Sequence, residues 1–209
     1  MQHCPASFQD VVVKPDNQGR IGPNAIIRIH ESLIEQRGRE CAEAVFKQAE
    51  LPRYLAALPE TMVPEAEVIA LHQALRVELG VVEARAIGRD AGRRTGDYLL
   101  ACRIPKPAQW LLKHLPAPLA APLLLKAIAA NAWTFVGTGR FTIEPGSRPS
   151  IRIDDSPLCR GAQADVPLCD FYAGTFECLL QTLVHPGARV TETQCAAQGA
   201  PYCRFALSW

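Results

Sequence analysis

The chain has 209 residues, of which 48% are hydrophobic and 21% charged, a balance that supports a buried core and is unlike that of a disordered chain. Its formal net charge is only +1, so it lacks the strongly basic balance that is typical of nucleic-acid-binding proteins. The N-terminus has no cationic start followed by an apolar run, which argues against a secretory signal. We therefore predict a cytoplasmic protein whose eight cysteines are metal ligands or core residues and do not form disulfides.

The N-terminal half is predicted to be helical. Residues 1–20 are expected to form an arm or an edge strand, in which Val11 to Val13 could pair, and residues 21–209 a single domain. A helix is predicted to open at Gly22-Pro23-Asn24 and to be interrupted at Gly38, because its apolar residues recur at helical spacing. A second long helical pattern begins at Pro64 and is divided at Gly80.

Three glycines, Gly88, Gly92 and Gly96, are spaced four residues apart in that second pattern. On a helix this spacing aligns them along one face, where the absence of side chains lets another backbone approach closely. A ligand approaching the same face is the alternative.

The most apolar stretch runs from Leu111 to Val136, and lysines and prolines interrupt it. A spanning helix needs about 20 predominantly apolar residues, so we predict two short helices, 110–115 and 119–130, and no transmembrane segment. Such an apolar surface could pack against a second copy of the chain, as a homodimer, or make a peripheral membrane contact.

The hydrophobic period changes after this stretch. Short strands are predicted over 133–135, 140–143 and 150–154, a helix over 169–184, and a terminal hairpin over 188–195 and 202–209 that turns at 198–201. Helices followed by antiparallel strands indicate an α+β fold, with N-terminal helices packed on a mainly antiparallel sheet and a C-terminal helix and hairpin.

Residues with metal-ligand spacing lie in that C-terminal part. Glu192 and Cys195 are separated by two residues, and Cys203 follows after seven more; thiolates and a carboxylate suit a closed, tetrahedral, structural zinc site. Side chains three residues apart on a flat strand point to opposite faces, so the chain must kink between Glu192 and Cys195. The fourth ligand is Cys169, at the start of the predicted helix, or Cys178, on the opposite face of that helix. Buried cysteines without a metal are the alternative.

The pattern Glu192-x-x-Cys195-x7-Cys203, followed by a strand, resembles the closing motif of the 4-vinyl reductase domain family. In aromatic-sensing members of that family, zinc is held by a Cys, a Glu and two further Cys, and the first Cys precedes the Glu by 23 residues. Since 192 − 23 = 169, the resemblance implies the ligand set Cys169, Glu192, Cys195 and Cys203.

The segments IPKPAQWLLKHLP (104–116), AWTFVGTGRF (132–141) and the final hairpin are similar to the bacteriochlorophyll-biosynthesis branch of this family, over roughly residues 20–209. That resemblance implies a role at or near reduction of the 8-vinyl group (the 4-vinyl group of the family name) of a chlorophyllide precursor, alongside other pigment-biosynthesis enzymes.

Reduction of a vinyl group requires a source of hydride or electrons, and cofactors supply this chemistry. The sequence has no G-x-G-x-x-G dinucleotide fingerprint and no cysteine run typical of an iron–sulfur cluster, while a flavin site, which needs no simple motif, stays open. We therefore predict a tetrapyrrole-binding or carrier protein that assists the pathway. The reductase itself, and a sensing or assembly module that acts through a partner, are the alternatives.

A magnesium tetrapyrrole is a flat apolar ring, and such ligands bind in apolar sites that have a few polar anchors. His72 and His114 are candidate axial ligands to the magnesium, although each also fits an ordinary core or surface histidine. The other candidate contacts are Gly88, Gly92, Trp110, Trp133 and Phe135.

Overall fold

The computed structural model describes residues 19–146 and 148–209, and the predicted N-terminal arm with its possible strand at 11–13 lies outside them. The helices are α1 (Asn24–Gln48), α2 (Arg53–Ala56), α3 (Glu65–Cys102), α4 (Lys106–His114), α5 (Ala117–Ala130) and α6 (Asp170–Leu183). The strands are β1 (Arg20–Ile21), β2 (Val63–Pro64), β3 (Arg140–Glu144), β4 (Ser150–Asp154), β5 (Arg189–Gln194) and β6 (Cys203–Ser208).

The predicted α+β class is confirmed. Strands β3 to β6 form an antiparallel sheet in the order β3-β4-β6-β5, and β1 pairs with β2 in a separate two-stranded ribbon. The terminal hairpin is confirmed as well, because β5 and β6 pair antiparallel with Val190 opposite Leu207. A single hydrophobic core joins the helices to this sheet.

Both interruptions predicted in the long helices are present as kinks. Gly38 in α1 has φ 83° and Gly80 in α3 has φ 74°, a left-handed backbone conformation that glycine adopts without steric cost. A Cβ at either position would meet open space. Backbone conformation, and not crowding, is therefore what favours glycine at the two kinks.

The strand predicted over 133–135 is wrong. Ala132–Thr134 is a 3₁₀ helix, in which the Thr134 and Phe135 amides donate to the carbonyl oxygens of Asn131 and Ala132, each at 3.0 Å. These local bonds satisfy the backbone that a strand would have paired in a ladder. Tertiary context overrides the strand propensity of the sequence Trp-Thr-Phe at this turn between α5 and β3.

Helix α6 is the central element, and it packs on α3 with almost no space between the two backbones. A Cβ at Gly92 would collide with the carbonyl oxygen of Phe171, and one at Gly96 would lie 2.7 Å from the Cys178 sulfur. The Thr175 hydroxyl lies 3.0 Å from the Gly92 carbonyl oxygen. The close backbone approach predicted from the glycine spacing is therefore confirmed.

Another face of α6 packs on the sheet through aromatic side chains. Tyr172 and Phe176 are stacked with ring centroids 6.0 Å apart, and both contact Phe205 of β6 edge-on. Such edge-to-face pairs add to the free energy gained by burial alone. Helix α6 thus joins the helical layer to the sheet.

Two further observations concern the predictions made above. In the part of the chain that the structure describes, no helix has both the length and the apolar character needed to cross a membrane. Cys102, at the end of α3, is in a disulfide, so the expectation that every cysteine is a free thiol is wrong for this residue.

The α3–α6 packing predicts opposite outcomes for two neighbouring glycines. Gly92→Ala should lower the free energy of unfolding by about 1–3 kcal/mol or more, because an added methyl group forces the helices apart. Gly88→Ala should leave stability unchanged or raise it by up to about 1 kcal/mol, because its Cβ would lie at an ordinary contact distance of 3.7 Å from the Phe171 nitrogen. Urea unfolding followed by circular dichroism measures both, and equal stabilities would contradict the packing described.

Candidate metal centre

Four cysteines from separate parts of the C-terminal sequence meet at one point in the core. Cys159 lies in the loop after β4, Cys169 caps the N-terminus of α6, Cys195 follows β5 and Cys203 begins β6. Their sulfur atoms all lie within 4.8 Å of one another, and all four residues are buried. The cluster therefore joins a loop, a helix and a hairpin at a single site.

The distances between the sulfurs match those of a metal centre. The Cys203 sulfur lies 3.5 Å from that of Cys159, 3.6 Å from that of Cys169 and 3.9 Å from that of Cys195. Four sulfurs bound tetrahedrally at about 2.3 Å from zinc would be separated by about 3.8 Å. The four thiols thus have room for one tetrahedral ion without rearrangement of the backbone.

Local backbone geometry brings the hairpin cysteines together. The pairing register of β5 and β6 shifts between Glu192 and Gln194, which is the kink that the spacing of Glu192 and Cys195 predicted. A 3₁₀ turn follows over Ala196–Gln198, and Gly199 ends it with φ 86°. The Ala196 amide then donates to the Cys203 sulfur at 3.4 Å, as amides commonly do to metal-bound thiolates and other anions.

The loop after β4 brings the fourth cysteine into place. Asp155 has a φ of 50°, which turns the chain back toward α6. The Ser156 hydroxyl lies 3.4 Å from the Cys169 sulfur, and the Cys159 thiol donates to the Ser156 carbonyl oxygen at 3.8 Å. Sequence analysis missed Cys159, which lies ten residues before Cys169 in an irregular loop; the only signal in the sequence is that it shares this short loop segment with a predicted ligand.

Glu192, which the resemblance implies as a ligand, contacts the cluster from one side. Its Oε2 accepts a hydrogen bond from the Cys169 amide at 2.8 Å, while its Oε1 is buried without a partner. Burial, followed by the negative charge of Cys195, raises the pKa of this carboxyl to about 8. The carboxylate lies outside the group of four mutually close sulfurs, although its free oxygen is buried beside a site that lacks positive charge.

Cys178, the alternative to Cys169, lies elsewhere. Its sulfur is 3.5 Å from Oδ1 of Asp97, and burial raises the pKa of this thiol to about 12. The structure therefore brings Cys169, Cys195 and Cys203 together with Cys159, and leaves Cys178 at the α3–α6 contact.

Electrostatics of the cluster favour a cation. Hydrogen bonds from the three other sulfurs hold the pKa of Cys159 far below its usual range, while burial raises that of Cys169 well above it. One thiolate can form in this group, but further ionisation adds like charges at close range. Arg76 is a nearby side chain whose guanidinium interacts with the thiolates, and a bound dication would supply the remaining positive charge. An all-sulfur donor set suits zinc and other soft ions.

The candidate ligand contacts do not form one site. His72 is buried with its Nε2 unpartnered, and with Gly88 it lines a cavity of about 10 Å³, enough for about one water molecule. Gly92 is covered by Phe171 of α6. A second cavity, of about 220 Å³, lies between α3, α6 and β5 and is lined in part by Glu192.

The remaining candidates lie apart from these cavities. Trp110 and His114 are exposed neighbours on α4, with ring centroids 4.3 Å apart. Trp133 is half-buried in the 3₁₀ turn, and Phe135 joins the aromatic group between α6 and the sheet through an edge contact with Tyr172. The structure thus pairs His72 with Gly88, and Trp110 with His114, in separate places.

Comparison with known proteins adds two findings from sequence. Residues 149–208, which include all four cysteines and Glu192, match the 4-vinyl reductase domain. The chain is 44% identical over 189 residues to the bacteriochlorophyll synthase 23 kDa chain of Cereibacter sphaeroides, covering 90% of each chain. It is 42% identical over 193 residues to the protein of that name from Rhodobacter capsulatus, covering 92% of this chain and 88% of the relative.

Solved structures support the fold. The phenol-responsive sensory domain of the transcription activator PoxR superimposes with a TM-score of 0.50 at 19% identity, over 69% of this chain and 73% of that domain. The H-NOX protein from K. algicida superimposes with a TM-score of 0.58 at 12% identity, over 90% of this chain and 96% of the other. At these identities the likeness establishes the architecture alone.

The buried histidine predicts a specific sensitivity to acid. Burial lowers the pKa of His72 from 6.5 to about 3, so between these two pH values the unfolded chain binds one more proton than the folded one, and stability falls as the pH falls. This residue should therefore contribute a loss of about 2 kcal/mol between pH 8 and pH 5.

Urea unfolding at each pH, on wild type and His72→Gln, measures that contribution, because the metal centre is common to both proteins and cancels in the difference. The exposed His185 provides a matched control, and His185→Gln should keep the wild-type dependence. An unchanged pH dependence in His72→Gln would contradict the assignment of a buried, neutral imidazole.

Proposed function

The chain belongs to the family of the bacteriochlorophyll synthase 23 kDa chains and carries a 4-vinyl reductase domain, and we propose that it serves bacteriochlorophyll biosynthesis as a zinc-stabilised, tetrapyrrole-binding carrier or accessory protein. The observation that carries this proposal is the 44% identity to the Cereibacter sphaeroides chain over 90% of both proteins. We assign it to the step at or near reduction of the 8-vinyl group of a chlorophyllide precursor, in the cytoplasm and beside the other enzymes of the pathway.

Zinc is the ion that we propose for the four-cysteine centre, with Cys159, Cys169, Cys195 and Cys203 as its ligands. A closed set of four thiolates leaves no position for a substrate, which is the arrangement of structural zinc sites. Glu192 then acts from outside the set, by accepting the Cys169 amide and orienting that cysteine, as second partners of metal ligands do. The ligand set with Glu192 in place of Cys159 is the alternative that the test below separates.

Substitution of single ligands tests this assignment. Cys159→Ser should lose most of the zinc that wild type carries at one equivalent, and Glu192→Gln should keep it, since the amide oxygen can still accept the Cys169 hydrogen bond. Cys178→Ser is the matched control, because it removes a buried thiol outside the cluster. Metal content after purification under reducing conditions, measured by elemental analysis, gives the result.

The reverse outcome would assign the fourth ligand to the carboxylate. Zinc retained in Cys159→Ser and lost in Glu192→Gln would overturn the four-thiolate centre while leaving a zinc site in place. Thermal unfolding provides a second measurement, because binding of structural zinc is coupled to folding. Cys159→Ser should unfold at a lower temperature than Cys178→Ser.

Pigment binding is proposed at the exposed pair on α4. His114 Nδ1 lies 2.7 Å from the Trp110 carbonyl oxygen, so with the proton on Nδ1 the ring donates there and its Nε2 keeps a free electron pair. That nitrogen suits the axial position of a magnesium ion, and the Trp110 ring provides an aromatic surface beside it. His72 is the weaker candidate, because the cavity beside it holds about 10 Å³.

Titration with a pigment tests the binding function. The zinc-loaded protein is mixed with divinyl protochlorophyllide or chlorophyllide, with and without NADPH, and the absorption spectrum is followed. A carrier should shift the pigment bands, saturate near one equivalent and cause no turnover. His114→Ala should weaken binding by about tenfold or more, equivalent to at least ~1.4 kcal/mol, whereas His72→Gln should bind as wild type does.

Other outcomes of the same titration favour the other functions. Steady NADPH-dependent formation of the 8-ethyl product would make the protein the reductase itself, with a cofactor site outside the residues discussed above. No spectral shift, together with co-purification of another pathway enzyme, would favour a sensing or assembly module. A homodimer of the chain stays a prediction, which sedimentation at several concentrations would test.

A further inference from the structure

Helices α4 and α5 carry a group of large apolar side chains that face solvent. Trp110, Leu111, Leu119 and Leu123 are 63%, 50%, 58% and 49% exposed, whereas the large apolar side chains of the core are almost fully buried. Such a group of exposed apolar residues marks an interaction surface more often than scattered single ones do. The α4–α5 face is defined here as these four residues together with the exposed Lys113 and Lys126.

The pattern along α5 is that of an amphipathic helix with two different apolar faces. Leu124 and Leu125 pack into the core, while Leu119, Leu123 and Lys126 follow at helical spacing on the outer side and are exposed. The core therefore does not account for the outer leucines. A helix of this kind, too short to span a membrane, can lie in the plane of a membrane interface.

Charge selects the partner of this face. Between Asp97 and Glu144 the sequence has no acidic residue, although the whole chain has 21. The same segment carries five basic residues, and all of them are exposed: Arg103, Lys106, Lys113, Lys126 and Arg140. An apolar surface with cations and without acids complements an anionic surface that has an apolar interior.

Acidic side chains of the elements that pack against α4 and α5 are directed elsewhere. In α6, Asp170 pairs with Arg85 at 2.6 Å and Glu177 pairs with Arg89 at 2.9 Å. In β3, Glu144 pairs with Arg204 at 2.8 Å. These carboxylates are neutralised by their own partners, so they do not offset the positive charge of the α4–α5 face.

We propose that the α4–α5 face docks the protein on an anionic lipid bilayer. Leu111, Leu119 and Leu123 enter the interface, Trp110 lies at the headgroup level that tryptophan favours, and Lys113 and Lys126 extend their charged ends to the lipid phosphates. The inference rests on this surface alone and requires no bound pigment.

Vesicle binding of the full-length, zinc-loaded protein tests the proposal without pigment. Sedimentation with vesicles of phosphatidylcholine and phosphatidylglycerol should bring down the protein, and the bound fraction should rise with phosphatidylglycerol and fall with salt. Lys113→Gln/Lys126→Gln should lower the partition coefficient by about fivefold for each cation removed. Leu119→Ser/Leu123→Ser should lower it by about tenfold or more, because two apolar side chains no longer leave water.

Matched controls come from exposed residues elsewhere on the molecule. Val77 and Val82 of α3 are 68% and 83% exposed, so Val77→Ser/Val82→Ser removes as many exposed apolar side chains, and Lys47→Gln in α1 removes an exposed cation. Both controls should bind as wild type does. Equal binding to pure phosphatidylcholine, no binding at all, or variants of the face that bind like the controls would each overturn the proposal.

A second copy of the chain is the competing occupant of the α4–α5 face. If Leu119→Ser/Leu123→Ser converts a dimer to a monomer and wild type ignores vesicles, the face is a subunit interface and the membrane proposal fails. These results are separate from those of the pigment titration, which uses His114 and leaves the leucines and lysines unchanged.

Discussion

The convergence of four sulfurs at the start of α6 is the constraint on which the C-terminal half of the structure depends. Cys159 holds the loop that leaves β4, Cys169 fixes the first turn of α6, and Cys195 and Cys203 close the hairpin. Four thiols this close cannot all ionise without a cation, since each thiolate raises the cost of the next. A bound dication removes that penalty and converts a repulsive group into a link among three elements.

Because the centre fixes the first turn of α6, it also positions the contacts that this helix makes with α3 and with the sheet. Toward α3 the glycines leave no space for side chains, and Gly92 meets the Phe171 carbonyl. Toward the sheet Tyr172 and Phe176 pack edge-on against Phe205. A small rotation of α6 would break both contacts at once, so the metal centre and the helix packing stabilise the same orientation. The acidic residues of α6 add ion pairs to α3, of which the pair between Asp170 and Arg85 is 2.6 Å long.

Sequence predicted those parts of this arrangement in which local spacing carries the information. The pairing of β5 with β6, the kink after Glu192 and the close approach at Gly92 follow from turn residues, ligand spacing and helical period. Cys159 was missed because its loop has no period and its distance from Cys169 matches no common chelate spacing. The strand over 133–135 was wrong because β-propensity is local, whereas the turn into β3 depends on tertiary contacts. The candidate pigment contacts fell into separate places for a related reason: helical spacing does not say which face the core will cover.

The two proposed surfaces on α4 and α5 have a common physical basis. A tetrapyrrole with an apolar ring is poorly soluble in water, so a protein that carries it gains from working where such a ligand partitions, at the surface of a bilayer. His114 and Trp110 lie on α4 next to Leu111 and Lys113, so a membrane-bound α4 would hold the pigment anchor at the depth of the lipid headgroups. The helices that expose the most large apolar side chains are thus the ones whose chemistry suits the pigment and the lipid together. The zinc centre, buried at the start of α6, would then keep the scaffold rigid while ligands exchange at the interface.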